Sequence, residues 1–303
     1  MTTTNQPNAG AAGTWKLGDR TVNRMGFGAM RLPGMPWDEK PTDRAGAIAV
    51  LRRAVELGVN HIDTAAFYFM PTRSANELIS TALQPYPDDL VIATKVGAAR
   101  TRDGAFEYGR PDQLRGQVEE NIRQLGLDHL DLVNLRWGLG LDKQPGSVAE
   151  HFGALAELRD AGLIRHLGIS NIDADQLNEA MTIAPVATVQ NRYGLTERQD
   201  EALVDTCAAH GIAFVPFFTV ATSVPGGTGH DGPDETGQAE VARVAQAHGV
   251  TPAQVRLAWT LHRGDHILAI PGTGRLTHLE ENIAAGGLRL SDDDLALLDG
   301  ITG

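Results

Sequence analysis

The sequence predicts an α/β protein, a (β/α)8 barrel preceded by a short β-hairpin. Three observations predict it. Short apolar or β-branched runs alternate with helix-period segments along nearly the whole chain. Eight such runs occur, each followed by at least one helical segment. Several helical segments stop on a glycine just ahead of the next run, as in LGVNHIDT, AGLIRHLG and HGIAFVPF. A length of 303 residues fits two small domains or one barrel. No interdomain linker is visible. Parallel strands with crossover helices over about 280 residues match a closed barrel, which typically spans about 250.

The elements follow in order. Residues 1–13, MTTTNQPNAGAAG, are small and polar and read as a disordered tail, leaving 14–303 as one barrel domain. TWKLGDRTVNRMG (14–26) reads as the hairpin. The eight strand runs are 22–28, 60–65, 90–95, 130–136, 164–170, 188–191, 212–218 and 267–272. Helices are expected at 42–58, 76–83, 111–126, 147–162, 173–184, 197–211, 235–249, 251–263 and 277–285. Thr42 or Asp43 caps the first, and Gly58 ends it. Two loops are long: 29–42, with Pro33, Pro36 and Pro41, and the Gly-rich 219–235, which reads as a lid.

Composition narrows the function. The net charge is −12, from 26 Lys plus Arg and 38 Asp plus Glu, with no basic run, so nucleic acid and anionic membrane surfaces are poor partners. No apolar stretch reaches the roughly 18 residues of a membrane span, and no signal peptide is evident. The single cysteine, Cys207, excludes an internal disulfide and suits a reducing cytoplasm. The ten histidines show no metal-ligand spacing, so no metal is expected.

In such a barrel the chemistry stands where strands run out into the following loops. There the sequence places Asp63, with Tyr68 five residues on, then Lys95, Arg136, Ser170 with Asn171, Gln190 with Asn191, Phe217 with Phe218, and Gly272 with Thr273. A tyrosine hydroxyl titrates near 10, and a neighbouring ammonium pulls it down toward a range where it exchanges protons. A carboxylate beside the lysine keeps that lysine charged. Asp63, Lys95 and Tyr68 thus read as a tuned proton donor without nucleophile or metal, which suits carbonyl reduction by hydride from a nicotinamide. Ser170, Asn171 and Gln190 are suited to a carboxamide, and Phe217 offers a flat face. Ser170 and Asn171 also fit a simpler role, capping the helix at 173–184. IPGTGRLTHLEEN (270–282) sets a Gly-Thr-Gly turn before Arg275 and His278 at a helix start, a phosphate site that favours NADPH over NADH. Arg275 and His278 fit solvated helix-start residues as well. Arg136 ends an apolar strand, LDLVNLR; it is either delivered into the site or paired with Asp63 or another carboxylate.

From about residue 15 onward the chain resembles the aldo-keto reductases. GFGAM, DTAAFY (63–68), ATK (93–95), GISN (168–171), VQN (189–191) and PGTGRLTHLEEN (271–282) carry the likeness in order. Within the family it is most similar to the bacterial pyridoxal reductases, through VNRMGFGAMRL, DDLVIATKVGAAR, LGLDHLDLVNLR and GIAFVPFF. The resemblance implies NADPH-dependent reduction of an aldehyde or ketone, with pyridoxal the candidate substrate, Tyr68 as acid and Asp63 and Lys95 as its tuners. It also implies a cofactor cradle of Gly28, Ser170, Asn171, Gln190, Phe217, Phe218, Thr219, Gly272, Thr273, Arg275, His278, Glu281 and Asn282. Met30, Phe69 and Trp137 would face the substrate. Most of the family has histidine where this chain has Arg136; the pyridoxal reductase branch has Arg. Two departures border the substrate pocket: FMPTRSAN after Tyr68, and TVATSVPGG in the lid. They leave room for a ketone or imine reductase of a specialised pathway, and the arginine exchange for an NADPH-binding regulatory barrel with negligible turnover. A monomer or weak homo-oligomer is expected.

Overall fold

Seven parallel strands make one curled sheet in a computed structural model that describes residues 6–34, 43–70, 73–101, 105–220 and 237–301. They are β1 (Phe27–Gly28), β2 (His61–Asp63), β3 (Val91–Val96), β4 (Leu130–Arg136), β5 (Ile164–Ser170), β6 (Val186–Gln190) and β7 (Ala213–Phe214). Each pairs with the next in chain order. The eighth run, 267–270, closes the ring. Met25 bridges Ala269 and Phe214 bridges Ile267, both in parallel, and the Ala269 amide donates to Arg24 O at 2.9 Å. The hairpin Thr14–Leu17 and Arg20–Asn23 lies ahead of β1 and takes residues 22–23 from the expected first strand.

Crossover helices fill the intervals: α1 (Arg44–Glu56), α2 (Ala75–Leu83), α3 (Leu114–Leu125), α4 (Ala149–Asp160), α5 (Ala174–Ile183) and α6 (Glu201–Ala209). α7 (Gln238–His248), α8 (Pro252–His262), α9 (Leu276–Ala284) and α10 (Asp292–Asp299) follow. Local chemistry sets their ends. Asp43 accepts from the Ala45 and Gly46 amides and starts α1. Thr251 and Gln254 form a reciprocal cap with Pro252 at the first position of α8. Gly126 and Gly249, both left-handed, stop α3 and α7.

Strand alternation sorts the side chains into two layers. Inward residues Val91, Ala93, Leu132, Ala213, Val215 and Leu268 fill the barrel, and Leu17 and Val22 of the hairpin plug its lower end. Outward residues such as Ile62, Ile92, Val133, Ile169 and Phe214 pack against the helices. Each fully buried Leu, Ile or Phe there stabilises the fold by about 1.5–3 kcal/mol. Asp63, Lys95 and Arg136 share the inward register of Ala93 and Leu132, so strand pleating alone delivers them to the barrel mouth.

One expectation is corrected. Within the expected tail, Ala9–Ala12 form a 3-10 turn, and Ala9 and Ala12 are buried. Alanines are small enough to seat against Gly286 and Leu57, and the Ala9 amide donates to Leu57 O at 2.8 Å. Buried Arg24 locks the segment by donating to Ala12 O, Ile267 O and Gly264 O. Polarity suggested disorder; small size allowed close docking instead. α10, unforeseen, begins at a Ser291–Asp294 cap that is visible in SDDD. Two small hairpins, Phe69–Met70 with Arg73–Ser74 and Ala98–Arg100 with Phe106–Tyr108, rise from the loops after β2 and β3. The expected lid falls almost wholly at 221–236, and most of the 29–42 loop at 35–42, both outside the described residues.

Candidate active site

Lys95 and Asp63 form a buried ion pair at the mouth. Lys95 Nζ donates to Asp63 Oδ1 at 2.7 Å and Oδ2 at 2.6 Å, and to Thr64 O at 3.0 Å. Lys95 is 5% and Asp63 4% exposed. A buried pair survives only when further hydrogen bonds offset lost hydration. Gln190 provides one, its Nε2 donating to Asp63 Oδ1 at 2.9 Å. Burial pushes the lysine pKa down, but the Asp63 carboxylate and the Tyr68 phenol outweigh it, so the ammonium titrates above its ordinary range.

Tyr68 lies over this pair, with Lys95 Nζ 4.8 Å from its ring centroid. The turn that carries it is pinned at both ends: its amide donates to Ala65 O at 3.0 Å, and its carbonyl accepts from Ala75 N at 2.9 Å. Its titration corrects the expectation of a lowered pKa. Burial raises it most, the Lys95 ammonium opposes, and the net direction is up. The phenol is therefore a firmly protonated donor at neutral pH.

Arg136 ends β4 at 9% exposure. Nη2 donates to Gly140 O at 2.6 Å and Nη1 to Ser170 Oγ at 3.3 Å, while the guanidinium sits 5.3 Å from the Phe217 ring centroid. Among the described residues no carboxylate pairs with it. Burial lowers its pKa to about 10, so it stays charged at neutral pH. Asp63, one carboxylate proposed as its partner, is held by Lys95 instead. A desolvated cation fixed by neutral acceptors is suited to receive an anionic oxygen from a ligand.

The neutral residues around the mouth divide. Ser170 is fully buried and holds Arg136. Gln190 Oε1 is buried with no hydrogen-bond partner, an acceptor that suits a ligand amide. Asn171, in the left-handed region at φ 65, spends its Nδ2 on Trp137 O and Asp142 O, both at 3.1 Å. It fastens the loop after β4, and only its carbonyl oxygen remains for a ligand. Asp173, not Ser170 or Asn171, caps α5. Phe217 and Phe218 meet edge to face at 5.2 Å, and Thr219 beside them is buried.

A profile of the aldo/keto reductase family matches residues 24–302. The chain belongs to the aldo/keto reductase family. It is 44% identical over 295 residues to pyridoxine 4-dehydrogenase of Escherichia coli K12, covering 96% of this chain and 99% of that protein. A thermostable aldo-keto reductase crystallised with the inhibitor epalrestat is 28% identical at TM-score 0.77, covering 94% of this chain and 98% of that one. An aldo/keto reductase from Klebsiella pneumoniae in complex with NADP and acetate is 26% identical at TM-score 0.75, covering 94% of both chains.

In this aldo/keto reductase the seam between β1 and the eighth run leads to the expected phosphate region. Gly28 and Gly272 face each other across it. A Cβ on Gly28 would meet Ile270 O at 2.6 Å, and one on Gly272 would meet Gly28 O at 2.4 Å. Close backbone approach thus accounts for both glycines without a ligand. Beyond them, Thr273 Oγ1 accepts from the Arg275 amide at 3.1 Å, and Arg275 is the N-cap of α9. Arg275 and His278 are exposed and 3.5 Å apart, Glu281 is exposed, and Asn282 is buried. A guanidinium, an imidazole, a hydroxyl and the first amides of α9 meet at one helix start and fit an anion.

Beside Lys95 opens a cavity of about 750 Å³, lined by Phe67, Phe69 and Met70 and by the polar Glu77, Gln117 and Glu120 of α2 and α3. Phe69 lines this cavity, whose walls include neither Tyr68 nor Arg136. Trp137 does not line it. It follows Arg136 and so takes the outward register, against Tyr108 and His151 at 5.5 and 5.4 Å, with Nε1 donating to Gln144 O at 2.8 Å. Met30 is half-buried and stands outside the cavity lining. Two features escaped the sequence. Asp200, buried, joins Lys143 to Asn191, and Tyr108 places a buried hydroxyl near Arg136. Neither stands at a barrel strand end, so position gave no signal. Among the described residues no cluster of His, Cys, Asp and Glu is arranged for a metal, and no helix is long and apolar enough to cross a membrane.

Proposed function

We propose that this aldo/keto reductase reduces an aldehyde to a primary alcohol with NADPH, and that pyridoxal is its substrate. The carrying observation is the buried guanidinium of Arg136, paired with no carboxylate among the described residues, beside the Tyr68–Lys95–Asp63 group. Pyridoxal bears a phenolate next to its aldehyde, and one planar fork of N–H donors reaches two such oxygens. The name of the Escherichia coli relative, pyridoxine 4-dehydrogenase, supports the same substrate.

Bound NADPH supplies the hydride. Phe217 would offer the nicotinamide a face, Gln190 would meet its carboxamide, and Thr273, Arg275, His278 and the α9 amides would hold its phosphates, the 2′-phosphate included. As the carbonyl carbon takes hydride, its π pair moves onto oxygen. Arg136 stabilises the growing negative charge, and Tyr68 donates its hydroxyl proton to that oxygen. Lys95, charged through Asp63, steadies the phenolate left behind. The buried Cys207 suits a reducing cytoplasm.

The test is NADPH consumption with pyridoxal as sole acceptor. Rapid oxidation is expected. Slow oxidation beside rapid reduction of another ketone or an imine would assign a different carbonyl. Tight NADPH binding with no acceptor found would make the barrel a sensor and overturn the proposal.

A further inference from the structure

Thr64 and Thr94 each adjoin one half of the buried ion pair, and strand alternation turns their hydroxyls away from the mouth toward α2 and α3. The seam there is otherwise apolar, with Ile62, Ile92, Leu78, Ile79 and Val118 all buried. Four polar side chains nevertheless meet in it: Thr64, Thr94, Asn76 and Asn121, each 0% exposed. They form a continuous chain. Thr64 Oγ1 donates to Asn76 Oδ1 at 2.8 Å. Asn76 Nδ2 donates to Asn121 Oδ1 and to Gln124 Oε1, both at 3.0 Å. Thr94 Oγ1 donates to the same Asn121 Oδ1 at 2.6 Å, and Asn121 Nδ2 donates to Gln117 O at 2.8 Å.

Apolar side chains would pack this seam without the desolvation that such a network requires. What sets the chain apart is what it touches. The Thr64 carbonyl is one of three acceptors of the Lys95 ammonium, and the Thr64 amide donates to Ala93 O at 2.8 Å. Asn76 follows Ala75, whose amide holds the Tyr68 carbonyl at 2.9 Å. The chain therefore ties β2 and β3, which bear Asp63 and Lys95, to the start of α2, whose first amide holds the Tyr68 carbonyl.

We infer that Thr64, Asn76, Asn121 and Thr94 are positioning residues, a clamp behind the barrel wall that fixes Lys95 and Asp63 relative to Tyr68. The inference rests on carbonyl reduction by that group and not on pyridoxal, so the assay uses whichever carbonyl the unaltered enzyme reduces fastest. In full-length Thr94→Val, kcat falls about tenfold, as expected for a small misalignment. The deuterium isotope effect with 4-deuterated NADPH rises. NADPH affinity, read from quenching of protein fluorescence, stays within about twofold. In the cofactor-free protein the Thr64 amide exchanges hydrogen faster. Thr94→Ser, which keeps the hydroxyl, restores kcat, the isotope effect and the exchange rate. Thr64→Val cuts the chain at its other end and reproduces the Thr94→Val pattern. A folded variant of either kind with a lowered Tm but unchanged kcat and isotope effect would make the network purely structural and overturn the inference.

Discussion

A guanidinium cannot release its proton at accessible pH, so Arg136 acts through hydrogen-bond donation and charge. Replacing it by Met keeps much of the volume at the end of β4 and removes both. Turnover of pyridoxal in Arg136→Met is expected to fall about 10²-fold, the scale of one lost oxyanion donor. Steady-state kinetics check this, and undiminished kcat would refute the role. Tyr68 makes a second, signed prediction. Burial holds its pKa above the ordinary 10, and in the proposed reaction the protonated phenol is the active form. Reduction is therefore expected to stay level from neutral pH to about pH 9 and to decline only as the phenol titrates above that. A decline centred well below about pH 9 in a kcat profile would show that Lys95, not burial, governs the hydroxyl. At this scale the sequence was legible at strand ends and misleading one residue away: Arg136 faces the mouth, while Trp137, its neighbour, faces the helices.

At the scale of elements, the 3-10 turn Ala9–Ala12 supports the lower end of the barrel. Its removal uncovers two buried alanines, strips Leu57 O of a donor and leaves Arg24 Nη1 without Ala12 O. Deleting residues 1–13 is expected to cost about 2 kcal/mol, from lost burial and hydrogen bonds together. That corresponds to a Tm lower by roughly 4 °C in calorimetry, and an unchanged Tm would count against the docking. Strands and helices with strong periodicity were read correctly from residue pattern, as α1, α3, β4 and β5 show. Elements held by contacts distant in sequence were not. The 3-10 turn depends on Leu57, and the small hairpins at 69–74 and 98–108 depend on loops that carry no period.

Across the whole molecule, acid stability should report on His61. It projects into the barrel beneath Asp63, fully desolvated, with neither ring nitrogen satisfied by a side chain, and burial lowers its pKa to about 4. The unfolded chain takes up that proton near 6.5, so between the two values the unfolded state binds more protons. Stability should then drop by about 3 kcal/mol as pH falls from 6.5 to 4, and be nearly constant above. Urea unfolding across that range measures it, and a slope no steeper than that of His61→Leu would remove His61 as the cause. The barrel itself was legible because eight repeats of one pattern admit few topologies. The closure was not: the eighth run joins its neighbours through isolated bridges at Met25 and Phe214, which no local pattern encodes.

The commitment of the Lys95 ammonium has a chemical consequence. An enzyme that handles reactive aldehydes risks covalent capture by its own primary amines, and an amine condenses only through a free lone pair. Lys95 has none to offer, because its protons go to Asp63 Oδ1, Asp63 Oδ2 and Thr64 O and its pKa is raised. The contacts that hold the Lys95 ammonium thus also prevent a Schiff base from forming there.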